Sequence, residues 1–172
     1  MRIYSAQYNL IASELLKALE AKELLEIEDE YREEAELDVV GVLREYNRMN
    51  SWIVNQARDQ SRGDRAEEQR VRRRLAKEKN FAIGEDGFVY VIEQIIETLL
   101  ASGNIEEVYG DNRELRAVIT PIFATHTRDR DDELDQLVRA RIKNLAEGSS
   151  AWDIEYERVQ AQIRRTKGFS TE

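Results

Sequence analysis

His126 is the only histidine in the chain, and imidazole is the side chain that most often moves protons in a reaction. Its spacing from Leu115, Ile119 and Ile122 puts it on their helical face. General acid–base work needs a nucleophile or proton partner arranged around the ring. The only neighbours that offer one are the hydroxyls of Thr125 and Thr127. The expectation is a partly buried structural histidine.

The densest acidic run is Asp129, Asp131, Asp132, Glu133 and Asp135, oxygen ligands of the kind that hold a hard cation. A calcium loop also needs a central glycine and a closing glutamate, and both are missing. On a helix these carboxylates point in several directions, so a solvated helix start is expected. Glu30, Glu33 and Glu34 lack the Glu-x-x-His partner of a di-iron bundle. The chain has no phosphate-cradling Gly-Lys-Ser/Thr loop and no three-glycine dinucleotide fingerprint. Absence of cysteine removes thiolate metal sites and cysteine nucleophiles together. No cofactor, metal or catalytic residue is expected, and an enzyme acting on a small molecule is only a distant alternative.

Basic helices carry the strongest functional signal. Arg70, Arg73, Arg74 and Lys77 stand at i, i+3, i+4 and i+7, one helical face, while Val71 and Leu75 point to another. Arg72 and Lys79 are expected to widen the strip. A second strip, Arg158, Arg164, Arg165 and Lys167, has Ala161 and Gln162 where the first has arginines, so anion binding should be stronger in the first.

These strips close two similar units. Glu67, Arg70, Val71, Leu75, Lys77, Lys79 and Phe81 match Glu155, Arg158, Val159, Ile163, Arg165, Lys167 and Phe169, 88 positions on, and five of these pairs are identical. Recurrence at a fixed distance is the mark of a repeat architecture. The expected fold is all-α: a pseudo-twofold tandem repeat of a three-helix unit (helix, long helix, short basic helix), with residues 1–83 and 84–172 packed as one body.

Apolar spacing places the elements. Tyr8, Ile11, Leu15, Ala18 and Leu19 predict a helix over 5–22, followed by a short apolar extension at Leu24 to Ile27. Val39, Val42, Tyr46, Met49 and Ile53 form the seam of a long helix ending near Asp59, and Ser61 to Asp64 separate it from a basic helix over 65–79, fastened by Phe81 and Ile83. In the second unit Phe88 to Leu100 form a helix stopped at Ser102 and Gly103. Gly110-Asp111-Asn112 turns into the next one, carrying Leu115, Val118, Ile119, Ile122 and Phe123. Pro121 predicts a kink or break near Thr120 unless the helix starts there. Leu134, Leu137, Val138, Ile142 and Leu145 resume the pattern to Gly148, and Ser150 with Asp153 has capping-box spacing for a last helix over 151–167. The offset of about 80 at the first helices against 88 at the last requires inserted residues between them.

Charged residues make up 35 % of the chain and hydrophobic ones 41 %, too apolar and periodic for disorder. The net charge of −9 argues against uniform attraction to nucleic acid or anionic membrane. Charge is also segregated, since residues 1–47 hold five Lys/Arg against twelve Asp/Glu, a local net of −7. No secretory leader or membrane-length apolar run is visible, so a cytoplasmic protein is expected.

Met1-Arg2-Ile3-Tyr4-Ser5, the Ile11-Ala12 step, Glu36-Leu37-Asp38 and above all Leu75-Ala76-Lys77-Glu78-Lys79 resemble a bacterial family of uncharacterised proteins, domain of unknown function 507, over nearly the whole chain. That resemblance implies a helical architecture and carries no site residues. The function expected is a helical binding or assembly protein whose basic helices dock a protein partner or a second copy. The alternative is nucleic-acid binding with the same residues neutralising phosphates.

Overall fold

A computed structural model describes residues 3–62, 64–142, 145 and 150–167, the side chains at 128–133, 135, 150, 153, 164, 165 and 167 excepted. Its described residues form helices α1 (Tyr8–Ala21), α2 (Arg32–Ser61), α3 (Arg65–Glu78), α4 (Asp86–Ala101), α5 (Asn112–Arg141) and α6 (Ser150–Lys167), and two short strands, β1 (Leu25–Glu26) and β2 (Glu107–Val108). The mostly helical class is as expected. The basic and last helices begin and end within a residue or so of their predicted limits. The Gly148 stop and the Ser150/Asp153 capping box lie outside the described residues and side chains.

Local chemistry explains the boundaries. At the end of α1 Glu23 turns left-handed at φ 56°, and Leu24 N–H donates to Leu19 O at 3.0 Å, which satisfies a carbonyl the helix leaves open. α2 ends with Arg62 at φ 49°. α5 starts on a capping box: Asp111 Oδ1 accepts from Glu114 N–H at 2.8 Å, and Glu114 Oε2 accepts from Asp111 N–H at 2.9 Å.

Pro121 neither breaks nor starts a helix. α5 runs unbroken from Asn112 to Arg141 with the proline inside it. The carbonyl left without its N–H partner is that of Ala117, an exposed residue as is Pro121 itself, where water can supply the missing bond. Immobilised turns on either side, with Ile119 and Phe123 both fully buried, hold the helix through the defect.

The strands were not foreseen. The Leu24 to Ile27 extension contains β1, which pairs antiparallel with β2 in the register Leu25 with Val108 and Glu26 with Glu107. Two residues make no strand alone. Their partner lies some eighty positions away, and flanking bonds from Glu106 N–H to Glu26 O at 3.0 Å and Tyr109 N–H to Leu24 O at 2.9 Å extend the join.

α1 packs on α2 and α5, α4 on α2 and α5, α3 on α2, and α6 on α5. Asp38 meets Ser102 and Tyr46 abuts Gly87, so α2 and α4 run in opposite directions. The main core joins α1 to α5 and the residues of α3. A second cluster gathers Leu134, Val138 and Ile142 with Val159 and Ile163 of α6, and Tyr4 from the far N-terminal end packs into it. Each fully buried Leu or Ile contributes roughly 1.5–3 kcal/mol.

Buried positions recur along the chain. Ile11, Ala12, Leu15, Leu16 and Leu19 of α1 have buried counterparts 80 positions on at Val91, Ile92, Ile95, Ile96 and Leu99 of α4. Ala35, Val39, Leu43 and Asn47 of α2 do so at Leu115, Ile119, Phe123 and Thr127 of α5. Farther along, Ile53 and Ala57 correspond in burial to Leu134 and Val138, 81 positions on, and Val71 and Leu75 to Val159 and Ile163, 88 on.

Candidate functional site

α3 is built from strong helix formers, and its ends are capped. Asp64 accepts from the N–H groups of Ala66 at 2.8 Å and Glu67 at 3.1 Å, and Glu67 and Glu68 set negative charge in the first turn where the dipole favours it. At the other end Asn80 adopts φ 50°. Its N–H donates to Lys77 O at 3.1 Å and that of Phe81 to Ala76 O at 2.9 Å, the bonding of a Schellman motif. Phe81 is then fixed against Tyr46 (centroids 5.0 Å apart) and Tyr90 (5.3 Å), as the fastening role required.

With Val71, Leu75 and Ala76 buried, the other face of α3 is directed outward. Arg70, Arg73, Arg74, Lys77 and Lys79 are all exposed. Among the described residues no carboxylate pairs with Arg70, Arg73 or Lys77. Arg74 donates to Gln60 Oε1 at 2.6 Å and lies 3.7 Å from Glu78. The Lys79 ammonium sits 5.2 Å above the Trp52 ring, a cation–π contact.

Arg72 departs from the expected strip. It is half-buried, is paired to Glu68 four residues back, and has its Nε enclosed without a partner. Position 72 follows the buried Val71, so the guanidinium folds toward the helix flank instead of widening the exposed face.

On α6, Arg158 is exposed and held by Glu155 through bonds of 2.9 and 2.5 Å. That hydrogen-bonded pairing raises the Arg158 pKa and lowers that of Glu155. Arg164, Arg165 and Lys167 fall among the side chains outside the description. The two basic helices approach each other at Arg65 and Glu157, 3.5 Å apart and both largely exposed, a contact of little energetic weight.

A family model described as "Protein of unknown function (DUF507)" matches residues 1–169. The chain belongs to that family. No curated protein matches the chain, so DUF507 membership brings no activity with it, and the remaining chemistry of this DUF507 protein has to be read from its own side chains.

His126 is partly buried, as its spacing led one to expect. Its ring joins two helices, with Nε2 2.7 Å from Glu14 Oε2 of α1 and Nδ1 3.5 Å from Gln7 Nε2. Gln7 Oε1 is enclosed without a partner. The neighbouring hydroxyls back-bond the helix: Thr125 donates to Pro121 O at 3.1 Å and Thr127 to Phe123 O at 3.0 Å. The acidic run at 129–135 lies on α5 with its carboxylates outside the description. No group of metal-ligating side chains assembles among the described residues, and no described helix is long and apolar enough to cross a membrane.

One feature escaped the reading of the sequence. A cavity of about 380 Å³ opens between α2, α4 and the turn after α3, lined by Asp38, Gly41, Glu45, Tyr46, Met49, Lys79, Phe81, Tyr90 and neighbours. Burial pushes the Tyr46 hydroxyl up to about 12, with Tyr90 adding to the effect. Tyr90 is raised by burial first, then by Glu97 and Glu45. The available clue was Gly41, a glycine in the interior of a long helix.

Proposed function

We propose that this DUF507 protein is a cytoplasmic, non-enzymatic binding or assembly protein that docks a protein partner through the basic face of α3. The observation that carries the reading is the trio Arg70, Arg73 and Lys77, exposed on one face of a well-capped helix with no carboxylate paired to them among the described residues. Arg74 and Lys79 border that face. Charge-complementary faces steer association and fix register, and the acidic 1–47 region is the kind of surface such a face would meet on a second copy or another protein. The net charge of −9 favours protein over nucleic acid. Phosphate neutralisation by the same face is the second reading, because its cations stand open to solvent.

We also infer a duplicated architecture, residues 1–83 and 84–172, each a helix, a long helix and a short basic helix. Its support is the recurrence of buried positions 80, 81 and 88 residues apart together with the five identical pairs around the basic helices. The stepwise offset accounts for the inserted residues: one within the long helix and the others between the long and last helices.

The test compares wild type with Arg73→Glu/Arg74→Glu, both checked for equal folding. Fluorescence anisotropy with duplex DNA and structured RNA across a salt series is expected to show no tight binding, and sedimentation is expected to show a protein complex or self-association that the variant loses. Tight, salt-sensitive nucleic-acid binding that disappears in the folded variant would replace the protein reading with the phosphate one.

A further inference from the structure

We propose that the basic face of α3 docks on the acidic end of a second copy of this chain, the end where β1 pairs with β2. This rests on the reading of α3 as a docking face and names the surface it meets.

The fold assembles the acidic end from two distant segments. Pairing of Leu25 with Val108 and of Glu26 with Glu107, extended by the bond from Glu106 N–H to Glu26 O, gathers Glu26, Glu28, Glu30, Glu106 and Glu107. All five are exposed. A hydrogen bond with Glu106 and the charges of Glu106 and Glu30 raise the Glu28 carboxyl above its ordinary value, as happens when carboxylates crowd together. Among the described residues no Lys or Arg pairs with any of the five.

Two open rings stand among these acids. Tyr31 is 44 % exposed and Tyr109 55 %, and the Tyr109 hydroxyl donates to Glu26 Oε2 at 2.7 Å. A guanidinium bonds carboxylates in a planar fork and also stacks on aromatic faces. Carboxylates interleaved with tyrosines therefore suit an arginine-rich helix, and the exposed Arg70 and Arg73 of α3 supply the matching groups. Tyrosine and arginine are also the residues that most often anchor protein interfaces.

The two surfaces are too far apart to meet within one chain. α3 lies along the second half of α2, with Lys79 over Trp52 and Arg74 on Gln60, whereas the acidic end adjoins the start of α2 at Arg32. From Arg32 to Trp52 the helix rises about 30 Å, several times the Debye length of about 8 Å at physiological salt. The same screening weakens the repulsion between two copies of net charge −9, because that charge is spread over the whole molecule while the two patches act in contact. Each copy thus carries both halves of the contact and satisfies neither internally, which favours a second copy over an unrelated protein.

The experiment is sedimentation velocity of the full chain at physiological salt, with circular dichroism and thermal melting to establish equal folding. Wild type is expected to associate at high micromolar concentration and to fall to monomer at 1 M salt, where the Debye length is about 3 Å. Arg73→Glu/Arg74→Glu and Glu28→Lys/Glu106→Lys should each be monomeric alone, since each sets like charges against each other. Mixed in equal amounts they should associate again, because every positive surface then has a negative one to meet. Glu28→Gln/Glu106→Gln is the milder variant and should also weaken association of the wild type. A monomeric wild type, or a mixture that stays monomeric, overturns the proposal. Association lost in the α3 variant but kept in both acidic-end variants also overturns it and leaves docking through α3 standing. Association kept in the α3 variant overturns both.

Discussion

Asn47 of α2 donates both hydrogens of its side-chain amide, one to the hydroxyl of Tyr8 on α1 and the other to the backbone carbonyl of Ile3. All three groups belong to buried residues. This places a polar clasp inside the main core and ties the N-terminal segment to the helix pair. Asn47→Ala leaves a buried carbonyl and hydroxyl unpaired and is expected to destabilise by about 2–3 kcal/mol, against about 1 kcal/mol for Tyr8→Phe, which leaves the Ile3 bond intact. Urea unfolding of the two variants measures both values.

Gly87 in the first turn of α4 and Gly41 inside α2 should respond in opposite directions to alanine. At Gly87 the new Cβ would stand 2.1 Å from Tyr46 Oη and 3.3 Å from Ala82 O, so Tyr46 must leave its packed position, and a loss of about 1–3 kcal/mol is expected. At Gly41 the space is empty, and the gain in helix propensity should stabilise by about 0.5–1 kcal/mol. Thermal melting that shifted both variants the same way would contradict this account.

Stability should fall in alkali through Tyr46. Its folded pKa, raised by burial to about 12 from 10.0, lies above the unfolded value. Below pH ~10 both states keep the phenol neutral and the stability is fully present. As pH rises from about 10 to about 12 the unfolded chain loses its proton first, and on the order of 2 kcal/mol is lost. The readout is the difference between wild type and Tyr46→Phe, which should show a shallower decline in denaturant midpoint.

The caps make separable contributions. Asp64→Ala removes the acceptor of two N–H groups at the start of α3 and is expected to cost about 1 kcal/mol. Asp111→Ala removes half of the capping box of α5 with a similar cost. Hydrogen exchange should localise the first effect to the opening turn of α3 and the second to that of α5, and a spread over the whole chain in either case would count against local capping.

Sequence and structure agree where the physics is short-range. The seam at Val39, Tyr46 and Ile53, the Asp111 turn and the Phe81 fastening were legible because helix faces and caps depend on residues a few positions apart. Arg72 was misread because helical spacing gives a direction and not a partner, and Glu68 decided where its guanidinium lies. At Pro121 the helix neither breaks nor starts, because the penalty depends on whether the orphaned carbonyl is exposed and whether neighbouring turns are anchored. Neither property is written in the tripeptide around it.

Residue order alone was sufficient for the helices, their polar and apolar faces and the outward basic strip of α3, since hydrogen bonds four residues apart and a 3.6-residue period generate all of these. Tertiary structure decided the rest. The pairing of β1 with β2, the Glu14–His126 link, the seating of Tyr4 among α5 and α6, and the cavity spanning Asp38 to Tyr90 each depend on groups far apart in the chain. Those contacts exist only after the helices dock, because each isolated segment buries too little surface to offset the entropy of ordering it.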